Sequence, residues 1–378
     1  MKLYLQILGV FAFGLYSFSM FVAKHDNVLR YTQAEHLSPT GSMQANRAVH
    51  TATLLPDGRV LVVGGCTSHG CEAGDDAIKA ELYNTTTGLF SPAGSMKDER
   101  ASGHTATFIG QGQVLISGGW RSRRPTSSAE VYHIDSGVFE KVHAMQAART
   151  GHTATALADG RILIIGGDNG KETLASVEIF DPVTHTFTPA ASLNAPRAGH
   201  VAIRLQDGRV LAIGGHDYHN KLVLDTAEIY DPASGRFEPA GNLTMVRHKH
   251  GAALLPDGRV LVVGGSNERD FRGRYNHTEI YNPDTDTFER AAQMKSPRFK
   301  LPNAIVQLLN GEILVAGGDE WAEVYNPKTN AFRQIKGSMG SKRSFSAATL
   351  LQDGRALISG GYDDRIQLTN QAWLYAHE

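Results

Sequence analysis

Two sets of side chains in this 378-residue sequence are of types that bind or catalyse. The first follows seven glycine pairs. Trp120, Arg121, Arg123 and Arg124 come after Gly118-Gly119, and His216, Tyr218 and His219 after Gly214-Gly215. Arg269, Arg272 and Tyr275 follow Gly264-Gly265, Trp321 follows Gly317-Gly318, and Tyr362 and Arg365 follow Gly360-Gly361. Asp168, Asn169 and Lys171 come after Gly166-Gly167, and Cys66 to Glu72 after Gly64-Gly65. Rings stack on flat ligands and guanidinium groups take carboxylates with two parallel hydrogen bonds, so this mixture suits a sugar, a carboxylate or a protein surface. The second set is Arg47-Ala-Val-His50, Arg149-Thr-Gly-His152, Arg197-Ala-Gly-His200, Arg247-His-Lys-His250 and the shifted Arg100-Ala-Ser-Gly-His104. Five recurring histidines are the right donors for a metal. A residue repeated in unit after unit serves the unit, however, and Leu301 and Ser346 hold the equivalent place in the other two. These histidines are therefore expected to hydrogen-bond between neighbouring units, and neither a metal nor a cofactor is assigned.

The elements that must position these residues recur with the glycine pairs, which lie 43 to 54 residues apart. Each pair ends an apolar run such as Arg59-Val-Leu-Val-Val63, entered through a turn of the Asp57-Gly58 type, a hairpin signal. A third strand ends in Tyr83, Tyr132, Phe180, Tyr230, Tyr281, Tyr325 or Tyr375. A fourth carries Phe90, Phe139, Phe187, Phe237, Phe288 or Phe332. Four strands in ~50 residues make a propeller blade, so the fold is an all-β, seven-bladed β-propeller.

The glycine pair, the Glu-Ile-Tyr-Asp-Pro type of strand end and the later aromatic resemble the kelch repeat from about residue 34 to the C-terminus. Phe stands where many kelch repeats carry Trp, and the Asp-Gly-Arg-Val-Leu turn is most similar to blades of the galactose oxidase and glyoxal oxidase group. That group implies copper held by two Tyr and two His, with one Tyr crosslinked to a Cys. Tyr218, Tyr275, Tyr362, His216 and His219 are candidates of the right type, without an assignable match. Exported sialic acid mutarotases, with acid-base residues at a channel mouth, are the other enzyme class the resemblance brings in. Spacing alone selects no general base here, and neither a nucleophile elbow nor a Cys-His arrangement for a hydrolase is present.

Leu37-Ser-Pro-Thr-Gly-Ser-Met43 matches Phe90-Ser-Pro-Ala-Gly-Ser-Met96, a fourth strand with no first three before it, while Arg343 to Tyr375 supplies three strands with no fourth. The last blade is thus expected to close three-plus-one, leaving no end blade with an open edge. Antiparallel order puts the variable stretches after the glycine pairs on one face of the disc and the short Asp-Gly turns on the other. Binding residues usually sit on variable loops of a rigid scaffold, so the first face is expected to carry function.

Leu3 to Ala23 run without a charge between Lys2 and Lys24, which reads as an export signal over residues 1–28, with the propeller at 29–378. A cleaved signal and an uncleaved membrane anchor through residues 3–23 are equally supported. Either places the rest outside the cytosol, periplasmic or extracellular, where Cys66 and Cys71 close a small loop as a disulfide; a metal pair or two free thiols are the alternatives. With 37 Lys+Arg against 38 Asp+Glu there is no basic footprint for nucleic acid. The sequence is read as an exported, monomeric binding module that takes a protein or glycan partner on its variable-loop face. A carbohydrate-active or aldehyde- or alcohol-oxidising enzyme is the alternative.

Overall fold

The computed structural model describes residues 35–267 and 273–376. The export segment at residues 3–23 and its expected boundary at residue 28 lie outside the described residues, as do Arg269 and Arg272. Among the described residues no helix is long and apolar enough to cross a membrane.

Among the described residues there are seven four-stranded antiparallel sheets, and in blades 1 to 6 chain order runs from the inner strand outward. Blade 1 comprises Thr51–Leu54, Val60–Val63, Lys79–Asn84 and Leu89–Ser95. The inner strands of blades 2 to 6 are His104–Gly110, Thr153–Ala156, Val201–Arg204, Gly251–Leu254 and Ile305–Gln307. Blade 7 pairs Ala347–Leu350, Ala356–Ser359 and Ala372–Ala376 with the N-terminal strand His36–Pro39, in the register Leu37 opposite Tyr375. This is the three-plus-one closure. Arg333 of blade 6 fastens it by binding both Glu35 and Glu312, while the Tyr375 hydroxyl donates to Glu35.

The second strands, such as Val60–Val63 and Ile162–Ile165, are buried on both faces because each lies between two neighbouring blades. The core is accordingly a set of inter-blade clusters; Leu211, Ile213 and Ala227, for example, pack on Val260, Val262 and Tyr281. The recurring aromatics meet across the third and fourth strands, Tyr83 on Phe90 at 4.9 Å and Tyr281 on Phe288 at 4.8 Å between ring centroids.

On the face bearing the short turns, five arginines are paired within their own turns. In Asp57-Gly58-Arg59 and its repeats at residues 159, 207, 257 and 353, the arginine binds the aspartate two residues before it.

Candidate functional site

The glycine pairs and the Arg-x-x-His segments belong to one network. Each arginine enters a blade from the preceding linker and, in blades 1 to 6, lies fully buried against a glutamate in the first half of the third strand. The pairs are Arg47–Glu81, Arg100–Glu130, Arg149–Glu178, Arg197–Glu228, Arg247–Glu279 and Arg298–Glu323. The same arginine donates through Nη1 to the carbonyl of the first glycine, as Arg149 does to Gly166 at 2.7 Å, and the glutamate's second oxygen takes a linker N–H, Gln146 for Glu178 at 2.8 Å. The second glycine donates its N–H to the carbonyl of the next blade's arginine, Gly167 to Arg197 at 2.9 Å. A Cβ on Gly166 would lie 2.4 Å from that carbonyl, which explains the glycine. Blade 7 departs from the pattern. Trp373 occupies the glutamate's register position, Arg343 stacks on it at 5.3 Å, and the linker amide of Gly340 finds Ser338 Oγ at 2.9 Å instead.

The histidines bridge neighbouring blades, as expected. His50 Nε2 meets Ser359 Oγ at 2.8 Å, His152 Nε2 meets Ser117 and Thr105 hydroxyls at 3.2 Å each, and His200 Nε2 meets Thr153 Oγ1 at 3.0 Å. Burial, reinforced by the neighbouring arginines, holds His50, His104 and His200 down to about 3, and His152 and His250 well below the usual imidazole range. The ring is therefore neutral at physiological pH. His250 is the exception in bonding: neither ring nitrogen has a partner among the described residues. Val201 and Ile213 stand where blades 2 and 3 supply the hydroxyls of Thr105, Ser117 and Thr153. Two unsatisfied buried nitrogens are costly, so His250→Leu, copying Leu301 of blade 6, is expected to stabilise the protein by about 1–3 kcal/mol in chemical denaturation. A loss of stability would mean that His250 is bonded after all.

Just before each histidine position the chain turns through the left-handed region: Val49, Gly103, Gly151, Gly199, Lys249, Lys300 and Phe345 all have φ between 52° and 64°. Their amides and carbonyls link blade to blade, Gly151 to Gly103 at 2.9 Å, Gly199 to Gly151 at 2.8 Å, Lys249 to Gly199 at 2.9 Å and Val49 to Phe345 at 3.1 Å. This belt rims the central channel on the variable-loop face. The channel and its mouth enclose about 890 Å³, walled by the inner strands and, at the mouth, by Trp120, Asp168, Tyr218, Lys249, Phe345 and Cys71.

Of the residues expected at the site, Trp120 and Tyr218 line this mouth, both half-buried. Arg121, Arg123 and Arg124 belong to an exposed ribbon in which Trp120–Arg121 pairs with Arg124–Pro125. Arg121 binds Asp98 at 3.2 Å, and Arg123 binds Glu72 of the blade 1 loop at 3.0 Å. His219, Trp321 and Arg365 are exposed on the same side. Others pack inward. His216 lies ring against ring with Tyr218 at 4.2 Å and His248 at 5.3 Å, and Tyr275 lies under the Arg247 guanidinium at 5.5 Å. The Tyr362 hydroxyl accepts from Lys300 Nζ at 2.8 Å, an ammonium also held over the rings of Phe299 and Phe345. Cys66 and Cys71 are joined as a disulfide, packed with Tyr362, Val49 and Phe345 across the junction of blades 7 and 1. Lys249 and Phe345 come from inter-blade linkers, where the left-handed turn is marked in the residue types only by the glycine before His104, His152 and His200.

Known proteins carry the same architecture. A structure described as a novel fungal alcohol oxidase with catalytic diversity among the AA5 family, in complex with copper, aligns with a TM-score of 0.71 at 18% identity, covering 92% of this chain and 76% of that one. At that identity the likeness is one of fold. No curated protein sequence matches the chain. The KLHDC2/KLHL20/DRC7 Kelch-repeats domain matches residues 103–318, more than half of the sequence and the span of blades 2 to 5 with part of blade 6. On that match and on its seven blades, the chain belongs to the kelch-repeat family.

Proposed function

We propose that the protein is an exported binding module that holds a protein or glycan partner on its variable-loop face. The observation that carries this reading is the contrast between the two faces. One gathers the channel mouth, its aromatic walls and the exposed Arg121 to Arg124 ribbon; the other repeats tight turns whose arginines are already neutralised by their own aspartates. Membership of the kelch-repeat family supports a binding role, while the choice of face rests on this contrast alone.

An oxidising enzyme is the second reading, raised by the alignment with the alcohol oxidase. The described residues do not fit copper held by two Tyr and two His. Tyr275 packs on Arg247 and Tyr362 is bonded to Lys300, Cys66 is bonded to Cys71 rather than available to a tyrosine, and among the described residues no three His, Cys, Asp or Glu side chains come together as a metal site.

The two faces can be compared directly. Partners retained from extracellular fluid or a glycan array are expected to be lost with Trp120→Ala and with Arg124→Glu, and kept with Arg209→Ala and Val183→Ser on the opposite side. Retention that follows the second pair instead would move the function to the other face.

A further inference from the structure

Blade 7 keeps the arginine of the repeated network and drops its carboxylate. Elsewhere two successive linker amides and the guanidinium converge on one glutamate: Gln44 and Ala45 with Arg47 on Glu81, Gln146 and Ala147 with Arg149 on Glu178. Gly340 and Ser341 hold those two linker places before Arg343. Trp373 faces Ile358 and Pro39 as Glu178 faces Ile164 and Pro189, so the third strand of blade 7 returns no negative charge.

The donors left behind lack their acceptor. Arg343 is only 7% exposed and forms no ion pair among the described residues: Nη2 donates to the Met339 carbonyl at 2.9 Å, and Nε has no partner. A buried guanidinium without a counter-charge is costly. The Ser341 N–H donates to no group among the described residues, and the Gly340 N–H reaches only the Ser338 hydroxyl of its own turn. From Lys336 to Arg343 the chain carries three basic side chains, two serines and no acid. The acids of the blade 7 loop are engaged. Asp363, whose field reaches Arg343, accepts the Arg365 and Gln367 amides, and Asp364 binds Lys342 at 2.8 Å and Arg274 at 3.5 Å. The approach from solvent is open, because Gly340 is exposed and a Cβ on it would meet no atom within 4 Å.

We propose that the linker from Ser338 to Arg343 is an oxyanion site, which takes from solvent a carboxylate, sulfate or phosphate group in the role that the glutamate plays in the other blades. The Gly340 and Ser341 amides, the Ser338 hydroxyl and the Arg343 guanidinium are its donors, and Lys342 adds positive charge at the rim. Successive amides about a left-handed residue, here Gly340 with φ 78°, form an anion-binding concavity, and a guanidinium matches the paired oxygens of such a group. Trp373 backs the guanidinium and leaves its counter-charge to come from outside. This site is separate from the channel mouth and does not depend on the reading given above for it.

The test is a nuclear magnetic resonance titration of the full chain, isotope-labelled at glycine and serine nitrogens, with acetate, sulfate and inorganic phosphate, chloride keeping the ionic strength constant. At least one of the three is expected to shift the Gly340 and Ser341 amide signals saturably, with half-saturation at about 10 mM or below. Two variants are expected to raise that concentration by about tenfold or more, read at Ser341. Gly340→Asp sets a carboxylate over the site on backbone that aspartate tolerates, and Arg343→Gln removes the charge while keeping a donor for the Met339 carbonyl. Gly235→Asp, in an open left-handed turn on the opposite face, is expected to leave it unchanged. No saturable shift with any of the three overturns the proposal. So does a shift that chloride produces equally well, or one that Gly340→Asp and Arg343→Gln both leave unchanged.

Discussion

Deletion of residues 29–43 is expected to remove more than about 5 kcal/mol of stability, a large share of what holds a folded chain together. The outer strand of blade 7 goes with it, and with that strand go buried Leu37 and Met43 and the Glu35 carboxylate on Arg333. For a chain of this size the melting temperature should fall by roughly 7 °C or more, with an exposed substitution such as Val183→Ser as the unchanged control. An unshifted transition in the deletion variant would contradict the three-plus-one closure.

Acid is expected to destabilise the protein steeply from pH 6.5 downward. The five inter-blade histidines are held neutral by burial, with folded pKa values far below that of an exposed imidazole. Between the two pKa values the unfolded chain binds more protons than the folded one. The contribution is therefore complete above about pH 6.5 and is lost as pH falls towards about 3. Each histidine gives up about 2 kcal/mol by pH 5, so the total is on the order of 5–10 kcal/mol. Denaturation midpoints measured from pH 7.5 to pH 5 should report an uptake approaching five protons on unfolding, and His250→Leu should remove one of them. A flat profile would mean that the imidazoles are solvated or charged in the fold.

Much of this architecture is legible in the sequence because its physical requirements repeat. A second strand buried on both faces must be continuously apolar, the close approach of the next blade's arginine admits only glycine at the pair, and the Tyr–Phe contact recurs at a fixed place. The split last blade follows from matching Leu37–Met43 to Phe90–Met96. The Arg–Glu pairs were not read, although their signal is present: a lone glutamate in an apolar strand, at residues 81, 130, 178, 228, 279 and 323, with Trp373 breaking the series. Their partners lie 25 to 34 residues away, beyond any local pattern. The site is less legible still. Residue type does not distinguish Trp120 and Tyr218, which line the mouth, from His216, Tyr275 and Tyr362, which pack inward. Only the alignment of the Arg-x-x-His segments sets Val49 and Lys249 beside the glycines that mark this backbone turn.

The most direct test of the central claim, that the channel mouth on the variable-loop face is a binding site, is a thermal-shift series on the full chain and on Trp120→Ala with neutral sugars, sialic acid, aldehydes, copper, calcium and zinc. A ligand at about 100 times its Kd adds ~2.7 kcal/mol, which raises the melting temperature by roughly 3–4 °C. The account predicts such a shift with a sugar, abolished in Trp120→Ala. A shift with copper alone, or one indifferent to Trp120, would contradict it.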